Sequence, residues 1–218
     1  MKVTVHKEAL RKILKWTQRV LLVCGILLLG YCAFALTDAW LFQRRAARDL
    51  DRLQRDRRAA SRMTPQPVSV RVAPAAAVAG SLIGRIEIPR LALSVVVVEG
   101  VDRISLRRAV GHIPGTALPG EAGNVGLAGH RDTFFRQLKD VKIADEIQVS
   151  TPISNFKYQV VSLRIVDPEN VGVLAPSGEN VLTLVTCYPF YFVGPAPKRW
   201  IVRARQVSSR AVPPPNVK

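Results

Sequence analysis

Residues 183–202 read TLVTCYPFYFVGPAPKRWIV. Two runs of β-forming residues flank a loop interrupted by three prolines and one glycine. This pattern predicts a strand, a stiff loop and a second strand. Cys187 ends the first strand, and Arg199 begins the second. If the two strands pair antiparallel, both side chains face the mouth of the same loop. A nearby guanidinium favours the ionised thiol, which is the nucleophilic form of cysteine.

A histidine upstream could complete this constellation. His130 follows a glycine-rich approach in NVGLAGHRD, residues 124–132. An imidazole at this place could protonate a leaving amine and then act as a base toward an incoming nucleophile. His112 is the rival histidine, because a turn residue in this position could also line the site. The remaining histidine, His6, lies in the basic N-terminal tail and is excluded.

Each candidate also has a plainer interpretation, which the pattern leaves open. Cys187 could be a small core residue at the end of a strand, as free cysteines commonly are. Arg199 could be one half of a solvated basic pair with Lys198. His130 could be a loop residue hydrogen-bonded to Asp132. A reactive site therefore requires that the thiol, the imidazole and the guanidinium converge in one pocket.

The N-terminal part of the chain contains an apolar segment. The chain has 218 residues, and residues 20–37 read VLLVCGILLLGYCAFALT without a charge. As a helix this segment is about 27 Å long, enough to cross the hydrocarbon core of a membrane. A small-x-small pattern at 33–35 would allow cleavage, but the charged helical pattern that follows favours an uncleaved anchor. Basic residues flank both ends, so the positive-inside rule only weakly favours a cytoplasmic N-terminus.

Composition shifts set the predicted boundaries. Arg48 and Arg52 repel one another at helical spacing, whereas Asp51 and Arg55 attract, so the helix after the anchor is predicted to be a stalk that packs against nothing. The predicted order is a basic cytoplasmic tail (1–19), a transmembrane anchor (20–37), a charged stalk with a Pro/Ala-rich linker (38–80), a globular domain (81–207) and a disordered tail (208–218).

The globular domain is predicted to be all-β. Its apolar runs are short and separated by proline and glycine turns, which is typical of a closed or sandwiched sheet. The predicted strands are 82–88, 93–98, 124–128, 146–150, 155–166, 180–186 and 199–206, with short helical segments at 104–110 and 132–138.

Several function classes are disfavoured. The net charge of +16 does not by itself indicate nucleic-acid binding, because much of it flanks the apolar segment. The globular domain has no recognisable DNA-reading helix or aromatic RNA-binding motif. Cys187, His112 and His130 lack the paired spacing of metal ligands. A phosphate-binding loop and a serine-hydrolase elbow are also missing. No metal and no cofactor are expected.

The segment 183–202, together with NVGLAGHRDTFF at 124–135, resembles the sortase family and is most like its class D group. The resemblance covers about 81–206. It implies an eight-stranded sortase-type β-barrel with short helices, preceded by a transmembrane helix. It also implies cysteine transpeptidation, with Cys187 as the nucleophile and His130 and Arg199 as the other catalytic residues. Thr186 matches a residue often assigned to oxyanion or substrate contacts.

The same resemblance implies substrates, partners and a location. The substrates would be proteins with a C-terminal LPxTG-like sorting signal, held as a thioester on Cys187 and passed to an amine of a wall precursor or another protein. The enzyme would be a single-pass protein of the cell membrane, with its catalytic domain outside the cytoplasm. Two alternatives remain: another extracytoplasmic cysteine peptidase or L,D-transpeptidase, and a membrane-tethered domain that binds without catalysis.

Overall fold

The structure is a computed structural model that describes residues 7–63 and 78–211. It begins with a long helix, α1 (Lys7–Met63). The chain divides into two compact units, residues 1–41 and 42–218. Residues 1–6 of the predicted basic tail, most of the predicted linker and residues 212–218 of the predicted tail lie outside the described residues.

The first unit consists of the N-terminal part of α1. Among the described residues, α1 is the one helix long and apolar enough to cross a membrane. Its most apolar 18-residue window has a mean hydropathy of 2.5, and none of that window is buried inside the protein. This confirms the predicted N-terminal apolar helix that could span a membrane.

The second unit contains a closed barrel of eight strands. The strands follow one another around the barrel in the order β1-β2-β3-β4-β7-β8-β6-β5. They are β1 (Leu82–Ile88), β2 (Leu93–Glu99), β3 (Val110–His112), β4 (Asn124–Ala128), β5 (Glu146–Ser150), β6 (Ser154–Val166), β7 (Val181–Tyr188) and β8 (Lys198–Ala211). A short helix, α2 (Arg103–Arg108), and three 3₁₀ turns (Pro89–Leu91, Arg136–Asp140 and Val171–Leu174) connect them. The predicted eight-stranded barrel is confirmed.

Alternation along the strands decides which side chains face outward. The pair Leu184 and Val202, directly opposite one another on β7 and β8, is fully buried in the barrel core. Because successive side chains of a strand point to opposite faces, Cys187 and Arg199 belong to the outer face. The chemistry predicted for this pair therefore lies on the barrel wall, outside the apolar interior.

Several of the predicted element boundaries are wrong. The helical segment predicted at 132–138 lies at Arg136–Asp140, and β7 continues past its predicted end at 186 to Tyr188. The helix predicted at 104–110 ends at Arg108, and residues 110–112 form β3, which is too short to show an alternating pattern. The disordered tail predicted from residue 208 is also incorrect for its first residues. β8 continues to Ala211 because it keeps pairing with β6, where Ser154 lies opposite Ala211.

The prediction of an unpacked stalk is also wrong within the second unit. Leu50 is fully buried and Ala46 nearly so, and Ala46 packs in a cluster with Val96 and Val98 of β2. Of the charged residues that suggested a stalk, Arg48, Arg52 and Arg55 are exposed, whereas Asp51 accepts a hydrogen bond from Arg85 of β1 (2.8 Å). Small and aliphatic residues of the same helix are buried. Packing of this face, rather than the balance of charges, determines where the helix lies.

Polar contacts set the register of this helix on the barrel. The Gln43 amide donates to the Arg108 carbonyl (2.6 Å), and its carbonyl oxygen accepts from the Val96 backbone N–H (2.9 Å). Farther along, Gln54 donates to the Thr151 carbonyl (2.7 Å). An amide side chain can satisfy a donor and an acceptor at once, so Gln43 bridges two elements of the barrel.

Replacing Leu50 by alanine is expected to lower the free energy of unfolding of the barrel by about 3 kcal/mol, because it removes a fully buried side chain and leaves a cavity. Urea denaturation followed by near-ultraviolet circular dichroism measures this. Leu53→Ala is the matched control, since Leu53 on the same helix is 46% exposed. Equal losses for the two variants would contradict packing of this helix face.

A buried carboxylate joins the turn after β1 to the start of β5. Asp145 is 7% exposed and accepts hydrogen bonds from the Nε and Nη2 atoms of Arg90 and from the Lys142 backbone N–H. The hydrogen bonds from Arg90 hold the pKa of the Asp145 carboxyl below its usual value, against the opposing effect of burial. The folded state therefore favours the ionised carboxylate.

Asp145→Asn is expected to destabilise the fold by about 2 kcal/mol near neutral pH, since it removes charge-assisted hydrogen bonds. A carboxyl whose pKa is lowered in the folded state stabilises the fold at pH values above its unfolded pKa of about 3.9. That contribution is lost as the pH falls toward the pKa of the folded state. Urea denaturation at both pH values measures this: the free energies of unfolding of Asp145→Asn and the wild type should differ less at pH 3 than at pH 7. An equal difference at both pH values would refute this role.

Candidate active site

The two strand ends that carry Cys187 and Arg199 lie side by side. β7 and β8 are antiparallel, and Cys187 is directly opposite Arg199. Residues opposite one another in an antiparallel pair have Cβ atoms about 5 Å apart and project to the same face. The conditional prediction that both face the same loop mouth is therefore confirmed. Cys187 is a free thiol and is only partly buried.

His130 lies on the other side of Cys187. β4 runs parallel to β7, with Ala128 opposite Val185. The Gly129 N–H donates to the Val185 carbonyl (3.2 Å), so the pairing extends one residue beyond β4. Continuing this register places His130 next to Cys187 on the exposed start of the following loop. The structure thus brings the imidazole, thiol and guanidinium residues to neighbouring positions at the ends of three adjacent strands, β4, β7 and β8, with His130 two residues beyond β4.

Gly129 allows the loop before His130 to lie against the core. A Cβ at this position would come within 2.8 Å of the Phe135 ring, which is fully buried. The His130 carbonyl accepts a hydrogen bond from the Phe135 N–H (3.0 Å), which closes a turn. A side chain at residue 129 would therefore displace either the aromatic ring or the backbone that carries His130.

Thr186 lies on the opposite face of β7 from its neighbour Cys187. It is 2% exposed, and its hydroxyl donates to the Gly129 carbonyl (2.7 Å). The family resemblance predicts an oxyanion or substrate contact for Thr186. The structure instead shows the hydroxyl bonded to the backbone just before His130, where it ties β7 to the end of β4.

Arg199 folds back on the end of the β7–β8 loop, residues 189–197. Its Nη1 atom donates to the carbonyls of Ala196 (3.1 Å) and Lys198 (3.0 Å). Arginine carries five N–H donors, and in the described part of the chain the Nε and Nη2 atoms of Arg199 have no recorded acceptor. These donors are available to a ligand carbonyl or to an oxyanion.

Arg131 is a residue of this region that the sequence interpretation did not assign. Its Nη1 atom donates to the Pro189 carbonyl (2.9 Å), and its Nη2 atom donates to the carbonyls of Phe192 (2.8 Å) and Gly194 (3.1 Å). Its guanidinium also lies 5.7 Å from the centre of the Phe192 ring, within range of a cation–π interaction. In the sequence, the one indication of this role is that Arg131 directly follows His130.

Three aromatic side chains support the base of the β7–β8 loop. Tyr188 stacks on Trp200 with their ring centroids 6.1 Å apart, and Phe190 meets both rings edge-on. Such arrangements are the favoured geometries of aromatic pairs. This cluster holds the first residues of the loop on the barrel, next to the strand positions of Cys187 and Arg199.

His112 does not belong to this site, although the sequence made it a rival to His130. It is 2% exposed, and its Nδ1 atom is 2.7 Å from the Glu99 carboxylate. Its Nε2 atom is 3.0 Å from the Ala117 carbonyl. Both ring nitrogens therefore face acceptors, and His112 joins β3 to the connection before β4. Among residues 7–63 and 78–211, no three His, Cys, Asp or Glu side chains form a group that could hold a metal ion.

Comparison with known proteins identifies the family. A family model described as the Sortase domain matches residues 86–207, which is more than half of the chain. Sortase D of Bacillus subtilis (strain 168) is 36% identical over 130 residues, covering 59% of this chain and 66% of that protein. Sortase SrtE1 of Streptomyces coelicolor (strain ATCC BAA-471 / A3(2) / M145) is 34% identical over 144 residues, covering 57% of this chain and 40% of that protein. The chain thus spans less than two thirds of these curated relatives.

The fold agrees with this match. The structure of a Clostridium perfringens sortase D5 transpeptidase aligns with a TM-score of 0.62 at 23% identity, covering 77% of this chain and 99% of that chain. At this identity the likeness shows the fold alone, and that fold is the closed barrel described above. The resemblance found in the residues is therefore confirmed, and the chain belongs to the sortase family.

Proposed function

We propose that this protein is a membrane-anchored cysteine transpeptidase that cleaves an LPxTG-like sorting signal and transfers the acyl group to an amine. The observation that carries the proposal is the row of neighbouring positions on β4, β7 and β8, where Cys187 lies opposite Arg199 and next to the strand extension that ends in His130. A partly buried free thiol between a basic and a titratable residue has the arrangement of an activated nucleophile.

In the proposed first half-reaction, the Cys187 thiolate attacks the carbonyl carbon of the signal's threonine and forms a C–S bond. The free N–H donors of Arg199 bind the oxyanion that develops in this step. The peptide C–N bond then breaks, and the His130 imidazolium gives its proton to the leaving amine. The products are a thioester on Cys187, a neutral imidazole and the released C-terminal peptide.

In the second half-reaction, an amine attacks the thioester carbonyl and forms a new C–N bond. His130 takes the proton that the amine loses, and the C–S bond breaks to return the thiolate. The acceptor amine would belong to a wall precursor or to another protein. Water in place of the amine would give hydrolysis, so transfer requires that an acceptor compete with water for the same thioester.

The apolar part of α1 supports a location at the cell membrane. We infer a single-pass topology with the barrel outside the cytoplasm, because proteins with sorting signals are met there. An anchor would keep enzyme, membrane-held substrate and acceptor within one thin layer, which raises their effective concentration for one another. The substrate proteins, the amine acceptor and the membrane are therefore the proposed partners.

The test uses full-length protein in detergent, an LPxTG-like peptide and an amine acceptor. Mass spectrometry should detect an acyl-enzyme on Cys187 and a product that contains the amine. Hydrolysis without transfer at saturating amine would favour a cysteine peptidase. A Cys187 that resists thiol reagents and forms no adduct would favour a binding domain without catalysis.

A further inference from the structure

The β7–β8 loop, residues 189–197, is held by side chains rather than by its own backbone. In the part of the chain that the structure describes, no backbone–backbone hydrogen bond is recorded for these residues. Pro189, Pro195 and Pro197 have no backbone N–H to donate. Gly194 adopts a φ of 102°, which side-chain-bearing residues rarely take. A loop of this kind has few means of fixing one conformation.

Two arginines supply the missing hydrogen bonds. Arg131 donates to carbonyls at the start, tip and far side of the loop, and Arg199 donates to carbonyls at its end. The five acceptors are the carbonyls of Pro189, Phe192, Gly194, Ala196 and Lys198. A planar guanidinium is suited to this task because it presents several donors in a fixed fork.

The position of Arg199 therefore depends on the conformation of a loop that Arg131 holds. The Ala196 carbonyl, which accepts from Arg199 Nη1, lies only two residues beyond the Gly194 carbonyl, which accepts from Arg131. Arg131 also follows His130 directly in the chain. One side chain thus connects the loop that carries His130 with the loop that joins Cys187 to Arg199.

We propose that Arg131 is a positioning residue of the site: it fixes the β7–β8 loop so that the Arg199 guanidinium is presented beside Cys187. This inference rests on the proposed function, since it assigns Arg131 a part in the same reaction. Arg131 acts through Arg199 and has no contact with the reacting atoms. Loss of its hydrogen bonds would leave the barrel intact and would release only residues 189–197.

The test compares Arg131→Gln and Arg131→Lys with Arg136→Gln. Arg136 lies in the same connection between β4 and β5, but it is exposed, and no hydrogen bond of its side chain is recorded in the described structure. We expect Arg131→Gln to lower the rate of acyl-enzyme formation by roughly 30-fold, since small misplacements of catalytic groups cost on the order of 10- to 100-fold. Arg131→Lys should recover part of that rate, and Arg136→Gln should be unchanged.

Coupling to Arg199 separates positioning from a general structural role. If Arg131 acts through Arg199, then Arg131→Gln should cost less than about 3-fold in an Arg199→Ala background, because the group it positions is already gone. Single-turnover mass spectrometry over hours can follow these slow variants. An equal cost in both backgrounds, or no cost in either, would overturn the inference.

Limited proteolysis provides a measurement that does not depend on the reaction. Chymotrypsin cleaves after Phe190, Tyr191 or Phe192, and it needs the loop to leave the barrel before it can do so. Full-length Arg131→Gln protein should be cut there faster than the wild type and Arg136→Gln, while the barrel strands stay resistant. Unchanged cleavage of the loop would overturn the inference even if the enzyme is an active transpeptidase. Faster cleavage of the variant, in a protein whose wild type forms no thioester, would instead support the fixing of the loop by Arg131 and refute the proposed function.

Discussion

Full-length Cys187→Ala protein is expected to form no acyl-enzyme and to lose transfer and hydrolysis together, with activity at least about a thousandfold below that of the wild type. The thiol provides the bond that the first half-reaction forms, and no other group near it can replace that bond at a useful rate. Electrospray mass spectrometry after mixing with an LPxTG-like peptide measures the adduct directly, and product analysis measures turnover.

The chain provides its own control for this prediction. Cys24 and Cys32 are the other two free cysteines, and both lie in the apolar part of α1. The double variant Cys24→Ala/Cys32→Ala should retain full adduct formation and should be alkylated at one position only. A Cys187→Ala protein that keeps more than a few per cent of wild-type transfer would refute the thioester mechanism.

Arg199→Ala is expected to lower kcat/KM by about a hundred- to a thousandfold, which is the typical cost of removing an oxyanion donor. The loss should fall mainly on kcat, because the donors on Nε and Nη2 act on charge that develops in the transition state. Arg199→Lys should recover little, since an ammonium cannot keep the bonds to Ala196 and Lys198 while directing further donors to the substrate.

Lys198 is the matched control for this arginine. It is the neighbouring cation on β8, and its ammonium pairs with Asp167. Lys198→Ala should change kcat/KM less than about 3-fold, because a largely exposed ion pair contributes little. Equal losses for the two variants would mean that the site needs only positive charge near Cys187 and not the fork of Arg199.

The pairing of Cys187 with Arg199 could be predicted because both belong to one hairpin. The β-forming runs that flank the loop indicate two strands, and antiparallel pairing then fixes the two residues at the same end. The place of His130 could not be derived in this way. It depends on parallel pairing between β4 and β7, whose partners Ala128 and Val185 are far apart in sequence. The assignment of His130 to the site therefore came from the family resemblance and not from local sequence patterns.

Other features escaped prediction for a shared physical reason. Arg131 acts on backbone carbonyls, which every residue possesses, so the sequence of the loop holds no complementary residue that would point to it. The burial of His112 depends on Glu99 of another strand. The packing of Ala46 depends on Val96 and Val98 of the barrel wall rather than on the charges of its own helix.

The helix that follows the apolar segment also limits how the protein can be shortened. Gln43, Ala46 and Leu50 cover part of the outer barrel wall. A soluble version that begins at residue 81, the start of the globular domain predicted from the sequence, would uncover Val96 and leave its N–H without the acceptor that Gln43 provides. Such a fragment should be prone to self-association. A fragment that begins at residue 42 retains the helix face that covers Val96 and is the better choice for crystallisation and solution assays.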